Sequence, residues 1–211
     1  MHLKRSKMPK TWPVPRKGTK YVAVPKHNLR KALPLLFILR DLMKISQNKK
    51  ETKKILSSEK VRVNGKIVRD VNFPLTLFDT LTIENKNFRI KIKNNKFDFS
   101  EIKEFENNKI VKVIGKKILH GNKIQINLSD GRNILTKEKI NVGDSTLINL
   151  TDNKIEKVFS LKTGAKAIVL SGKHISKEGK IESVDENRGL CLLDVGDKKI
   201  NVKIDNLMVL S

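Results

Sequence analysis

The chain has 211 residues, 45 of them Lys or Arg and 22 Asp or Glu, a formal net charge of +23 at pH 7. Its 38% hydrophobic content is too high for a wholly disordered chain, and its single cysteine, Cys191, excludes an internal disulfide and any multi-cysteine zinc site. The uncharged run Ala32 to Leu39 is too short to span a bilayer, which takes about 20 residues, and no apolar signal-peptide region follows the basic start, so a cytosolic protein is expected.

Residues 1–40 hold eleven basic residues and no acidic one; the rest of the chain holds 34 basic and 22 acidic. Like charge concentrated in this way opposes compaction and points to a polyanionic partner. Residues 1–27 read as a basic, proline-rich arm, with Pro9, Pro13, Pro15 and Pro25. Proline lacks the backbone donor and biases its predecessor to extended conformations, so neither helix nor central strand fits. The arm is expected to be disordered when free and dispensable to the folded body. Its candidate RNA contacts are His2, Lys4, Arg5, Lys7, Lys10, Arg16, Lys17 and Lys20, with Trp12. Two readings of Trp12 stand side by side: an anchor packed on the protein body, or a ring stacked on RNA.

Residues 28–93 change character. Leu35, Leu36, Leu39, Leu42 and Met43 fall on one face of a helix starting near Pro34. A second helix, Lys49 to Leu56, has Asn48 as N-cap and Glu51 three residues on, a capping-box pattern. Lys49, Lys50, Lys53 and Lys54 line its outer side, while Ile55 and Leu56 turn inward. Asn64-Gly65 inside VRVNGKIV is a hairpin signal, because both turn positions need positive φ. Leu81–Ile83 and Phe88–Ile92 then alternate as strands. Arg40 and Lys44 on the first helix, and Arg62, Asn64, Gly65, Lys66 and Arg69 around the hairpin, complete a surface able to meet RNA phosphates. The plainer reading is a solvated lysine face.

Residues 94–160 read as a small central β domain. Its strands are Lys109–Leu119, Lys123–Leu128 and Arg132–Leu135, separated by His120-Gly121-Asn122 and Asp130-Gly131. Residues 161–211 give strands Ala165–Leu170, Lys180–Asp185, Leu190–Val195 and Lys199–Ile204. The loop GKHISKEGK, Gly172 to Lys180, carries Lys173, His174, Lys177, Gly179 and Lys180 as further candidate RNA contacts. Gly179 is expected at a positive-φ turn, where it either lets RNA approach or serves only the hairpin.

Three resemblances lie on these residues. Leu33 to Leu81 resembles the α-L RNA-binding motif; that motif usually has a glycine just before the first hairpin strand, where this chain has Ser58-Glu59-Lys60. GKHISKEGKIESV resembles a KOW motif. MHLKRSKMPKTWPVPRKG, Met1 to Gly18, with PLLFILRD, KIQINLSDGRNIL and SGKHISKEGKI, resembles the archaeal and eukaryotic small-subunit ribosomal protein family S4e. That likeness implies a multi-module α+β fold: a basic extended arm (1–27), an α-L unit of two helices plus hairpin (28–93), a central small β domain (94–160) and a KOW-type small β barrel (161–211). It implies a structural constituent of the small ribosomal subunit, in the cytoplasm, whose partners are small-subunit rRNA and neighbouring ribosomal proteins. No membrane, small-molecule substrate, cofactor or metal is expected.

Phosphate-loop, Rossmann, HExxH and GxSxG patterns are absent from the sequence. Asp130 invites comparison with the catalytic aspartate of α-L-bearing pseudouridine synthases, yet too little chain remains for their catalytic domain, and no enzymatic activity is expected. The alternatives are an RNA-binding chaperone and an RNA-modifying factor carrying an α-L motif. A membrane-surface role would need an amphipathic helix that residues 1–27 do not offer.

Overall fold

A computed structural model gives the fold and describes residues 2–103, 107–120, 123–196 and 198–211. The predicted turn residues Gly121 and Asn122 lie outside the described residues. The chain forms two compact units, Met1–Asn107 and Asn108–Ser211.

The first unit begins with two short antiparallel strands, β1 (Leu3–Lys4) and β2 (Tyr21–Val22). Arg5 closes the loop between them: its guanidinium donates to the Pro15 and Thr19 carbonyls at 2.6 and 2.7 Å and to the Thr19 hydroxyl at 2.8 Å. Residues 1–27 are therefore not a detached arm. Leu3, Met8, Trp12 and Val14 are buried in one cluster with Leu35, Phe37 and Leu56. Trp12 packs on Phe37, ring centroids 5.4 Å apart, and the Phe97 N–H donates to the Thr11 carbonyl at 2.8 Å. The prolines exclude long regular elements as expected, but the apolar residues between them supply enough burial to fix the segment on the body.

β3 (Leu33–Pro34) pairs with β6 (Pro74–Leu75) across α1 (Leu35–Phe37), α2 (Lys49–Ser57), β4 (Val61–Val63) and β5 (Lys66–Ile67). The predicted first helix is short. After α1 it widens into a π turn, Ile38–Leu42, with the Met43 N–H on the Ile38 carbonyl at 2.8 Å. Leu35 to Leu39 are all buried, not only one face, because residues 71–75 cover the helix entry through Leu35 N–H to Phe73 O and Leu36 N–H to Val71 O. α2 forms as the sequence predicts. Asn48 Oδ1 caps it by accepting from Glu51 N–H at 3.0 Å, and Glu51 accepts from Gln47 N–H at 2.7 Å, one residue earlier than a standard capping box.

β7 (Thr80–Ile83), β8 (Lys86–Lys93) and β9 (Lys96–Ile102) complete an antiparallel sheet in the order β5-β4-β7-β8-β9. Asn64 and Gly65 hold φ of 52° and 76° in the β4–β5 turn, as the Asn-Gly pair predicts. β9 pairs along β8 from Asn87↔Ile102 to Lys93↔Lys96. The predicted boundary at residues 93–94 thus falls inside a hairpin, and the first unit runs on past it.

The second unit holds two five-stranded antiparallel sheets. β10 (Asn108–Ile118), β11 (Ile124–Leu128) and β12 (Asn133–Thr136) match the predicted strands, and β13 (Ser145–Asn149) and β14 (Ile155–Phe159) flank them. β15 (Lys166–Val169), β16 (Glu178–Asp185), β17 (Leu190–Asp194) and β18 (Lys199–Lys203) form a meander, and β19 (Leu207–Val209) adds beside β15. The two sheets are joined. Val209 N–H donates to Ser145 Oγ and Leu161 N–H to Asp144 Oδ1, each at 2.9 Å, and Phe159 and Leu161 pack against the core of the second sheet.

Candidate nucleic-acid interface

α2 carries Lys49, Lys50, Lys53 and Lys54 outward because its opposite side is fixed: Thr52 and Leu56 are buried, and Thr52 Oγ1 bonds Ser46 Oγ at 2.8 Å. All four lysines are exposed. Lys44, exposed at φ 55°, leads into this helix, and Arg62 and Lys66 are exposed on the β4–β5 hairpin. Among the described residues, Lys44, Lys50, Lys53, Lys54, Arg62 and Lys66 have no carboxylate within 4.0 Å. These side chains form a surface of solvated cations without counterions, which gives it a positive potential.

Other predicted cations are engaged within the protein. Arg40 clamps Asp41 through Nε and Nη2 at 2.8–3.2 Å and lies over the Phe37 ring, 5.5 Å from its centroid. Arg69 pairs with Glu59. Asn64 is also committed: its Nδ2 donates to Asp79 at 2.7 Å and its Oδ1 accepts from Thr80 N–H at 3.0 Å, so the side chain locks the hairpin rather than facing solvent. Lys60, which no sequence pattern marks, meets Glu84 at 2.9 Å; the hydrogen bond and charge of Glu84 raise the Lys60 pKa.

Along the N-terminal segment His2, Lys4, Lys7, Lys10, Arg16, Lys17 and Lys20 are exposed. Arg5 instead staples its loop. Trp12 is a correction: it is 1% exposed, with Nε1–H on the Ala32 carbonyl, and offers no face to RNA. The exposed aromatic is Tyr21. It escapes a sequence reading because a lone Tyr at a strand end carries no periodicity; its neighbour Lys20 is the available signal.

In the second unit Lys173, Lys177 and Lys180 are exposed, and His174 is half-buried beside buried Ile175. Gly179 corrects the sequence expectation. It lies inside β16, while the positive-φ positions of the loop are Gly172 (103°) and Ser176 (66°). A Cβ at Gly179 would sit 2.3 Å from the Asp194 carbonyl oxygen, so glycine is required by backbone approach across the strands. The Asp130 side chain is 6% exposed between Lys109 (3.4 Å) and Arg132 (3.2 Å), and also accepts the Arg132 N–H at 3.0 Å. It ties β10 to the β11–β12 turn.

Comparison with known proteins decides the family. The small ribosomal subunit protein eS4 of Methanocella arvoryzae is 36% identical over 189 residues, covering 87% of this chain and 80% of that protein. The chain belongs to the ribosomal protein family S4e. The family's sequence model, Ribosomal family S4e, matches residues 84–155. The eS4 protein of Methanosphaera stadtmanae is 37% identical over 191 residues, 87% of this chain and 79% of that one. Among solved structures, the 30S ribosomal protein S4e of Thermoplasma acidophilum superposes with a TM-score of 0.73 at 29% identity, over 86% of this chain and 95% of that one. This S4e-family chain therefore shares the β-rich, multi-sheet fold with few helices over 86% of its length. No described helix is long and apolar enough to cross a membrane.

Proposed function

We propose that this chain is a structural constituent of the small ribosomal subunit in the cytoplasm. It binds small-subunit rRNA, contacts neighbouring ribosomal proteins, and carries no catalytic activity. The observation that carries this reading is its likeness to eS4 proteins along 87% of its length. The cation surface supports it: α2, the β4–β5 hairpin and the N-terminal segment present lysines and arginines without counterions, which suits the phosphates of folded RNA.

In the finer reading, residues 28–93 act as an α-L module. The face Lys49, Lys50, Lys53 and Lys54 meets phosphates, joined by Lys44, Arg62 and Lys66. The 161–211 meander acts as a KOW-type barrel whose loop cations Lys173, Lys177 and Lys180 reach further phosphates. Electrostatic docking of this kind releases counterions, so binding falls with salt. Replacing the four α2 lysines by alanine should lower the log–log salt slope of rRNA binding by about 0.7–0.9 for each phosphate no longer neutralised. Sedimentation of cell extract tests the reading as a whole. Co-migration with small subunits at physiological salt supports it, and residence in the free pool at that salt, the behaviour of an RNA chaperone, sinks it.

A further inference from the structure

We propose that the cleft between residues 21–26 and the two helices of the first unit receives one unpaired ribonucleotide, with its base against Tyr21. The proposal rests on the rRNA-binding reading and deepens it. The cleft has a volume of about 600 Å³, and its lining includes Tyr21, Pro25, Lys26, Leu36, Arg40 and Lys49. That volume lies in the range of small-ligand pockets, which pair apolar walls with a few placed polar groups.

Tyr21 lines this cleft and is 48% exposed, the one aromatic ring among the exposed large hydrophobics of the described residues. Lys20 Nζ lies 5.6 Å from its ring centroid, and the His2 ring tilts against it at the same distance. Pro25 and Leu36 are buried and give the cleft an apolar floor. Two cations also line the cleft. The bonds of Arg40 to Asp41 use Nε and Nη2 and hold the guanidinium over Phe37; Nη1 has no acceptor among the described residues. Lys49, at the start of α2, has no carboxylate within 4.0 Å among the described residues. Lys26 is taken by Asp70 at 2.7 Å.

This arrangement differs from the open lysine face of α2. Lysines meet any RNA backbone, whereas a ring beside an apolar floor is useful only to a base turned out of its stack. A base in a duplex keeps its faces covered by its neighbours. Base on Tyr21 and phosphate on Arg40 and Lys49 satisfies both halves of the cleft, while an acidic peptide would leave the ring half in water.

The test titrates the full-length chain with a short unstructured ribo-oligonucleotide and with a blunt RNA duplex, across a range of salt. Tyr21→Ala should weaken single-strand binding about five-fold or more at every salt, with no change in log–log slope, because stacking releases no counterions. The loss should be specific to the single strand, and Tyr21→Phe, which keeps the ring, should restore it. Trp12 emission reports whether each variant is folded. Equal loss on duplex and single strand overturns the proposal, as does full single-strand affinity in Tyr21→Ala. So does a polyglutamate competitor that displaces RNA equally from both proteins. If the unaltered chain binds neither RNA, the rRNA reading fails as well; if it binds and only the Tyr21 effect is missing, the cleft proposal fails alone.

Discussion

The indole Nε1–H of Trp12 donates to the main-chain carbonyl of Ala32 at 3.0 Å. This bond joins the proline-rich start of the chain to the entry of α1, inside a core shared with Phe37. Trp12 is one of the largest fully buried side chains among the described residues. Trp12→Ala should therefore destabilise the first unit by about 3–5 kcal/mol, the usual cost of emptying such a site. Trp12→Phe keeps part of the volume but strands the Ala32 carbonyl, and should cost about 1–3 kcal/mol. Deleting residues 1–27 should strip secondary structure from the first unit, contrary to the sequence expectation of a dispensable arm. Urea denaturation followed by circular dichroism checks all three, and an undisturbed spectrum after the deletion would refute the packing argument.

Glu59 sits at φ 59° in the turn from α2 into β4. That left-handed conformation favours glycine, and a glutamate holds it here. A side chain there costs of order 1 kcal/mol. The Glu59–Arg69 ion pair on the surface returns little, because both partners are largely solvated. Glu59→Gly should raise the melting temperature by a few degrees. Glu59→Ala, which removes the pair but keeps the strain, should leave it near its starting value. A melting temperature that falls in Glu59→Gly would show that the ion pair outweighs the strain.

These two positions show what the sequence makes legible. The Asn48 cap, the Asn64-Gly65 turn and the alternating strands β7, β8, β10 and β11 depend on local chemistry, and local chemistry is written in neighbouring residues. The open lysines of α2 follow from four-residue spacing and are found where that spacing puts them. The fates of Trp12, Asn64 and Gly179 were not legible, because each depends on a partner far along the chain: Ala32, Asp79 and Asp194. Charge density at the N-terminus masked Leu3, Met8 and Val14, whose burial needs surfaces from α1, α2 and β8 to exist first. β9 is hard to read for a different reason: only two apolar residues, Phe97 and Phe99, carry its alternation before Ser100 and Glu101 end it.

Asp70 supplies the pH dependence of the contact between residue 26 and the β5–β6 turn. Burial alone would push its carboxyl up. The hydrogen bond from Lys26 and that from the Asn72 N–H, with the charges of Lys26 and Lys49, outweigh burial and hold it below its ordinary 3.8. A carboxyl depressed in the folded state contributes stability that is fully present above its unfolded pKa and is lost as pH falls through the folded value. The first unit should therefore lose this contribution as pH drops below 3.8. Asp70→Asn should be less stable than the parent at neutral pH, and the two should converge in strong acid. Denaturation midpoints compared at neutral and acid pH check this; a gap that persists unchanged into acid would assign the effect to packing instead.

The second unit has its own critical point at Gly179. In β16 this residue lies opposite Ala167 of β15, and the neighbouring strand β17 passes so close that a Cβ would meet Asp194 O at 2.3 Å and Val195 Cγ2 at 3.2 Å. The nearest atom is backbone, held by the β16–β17 ladder through Lys180↔Asp194, so it cannot swing aside as a side chain would. Gly179→Ala must separate the strands, and should cost about 2 kcal/mol or more. Cys191 offers a direct readout. It is buried in β17, a few residues before Asp194, and burial raises its thiol pKa, which keeps thiolate scarce in the folded protein. The parent should alkylate slowly until it unfolds, and Gly179→Ala should react measurably faster under native conditions. Lys180→Ala, at an exposed position on the same strand, should alkylate at the parental rate. If Gly179→Ala also reacts at that rate, the strands tolerate a methyl group and the close approach does not explain the glycine.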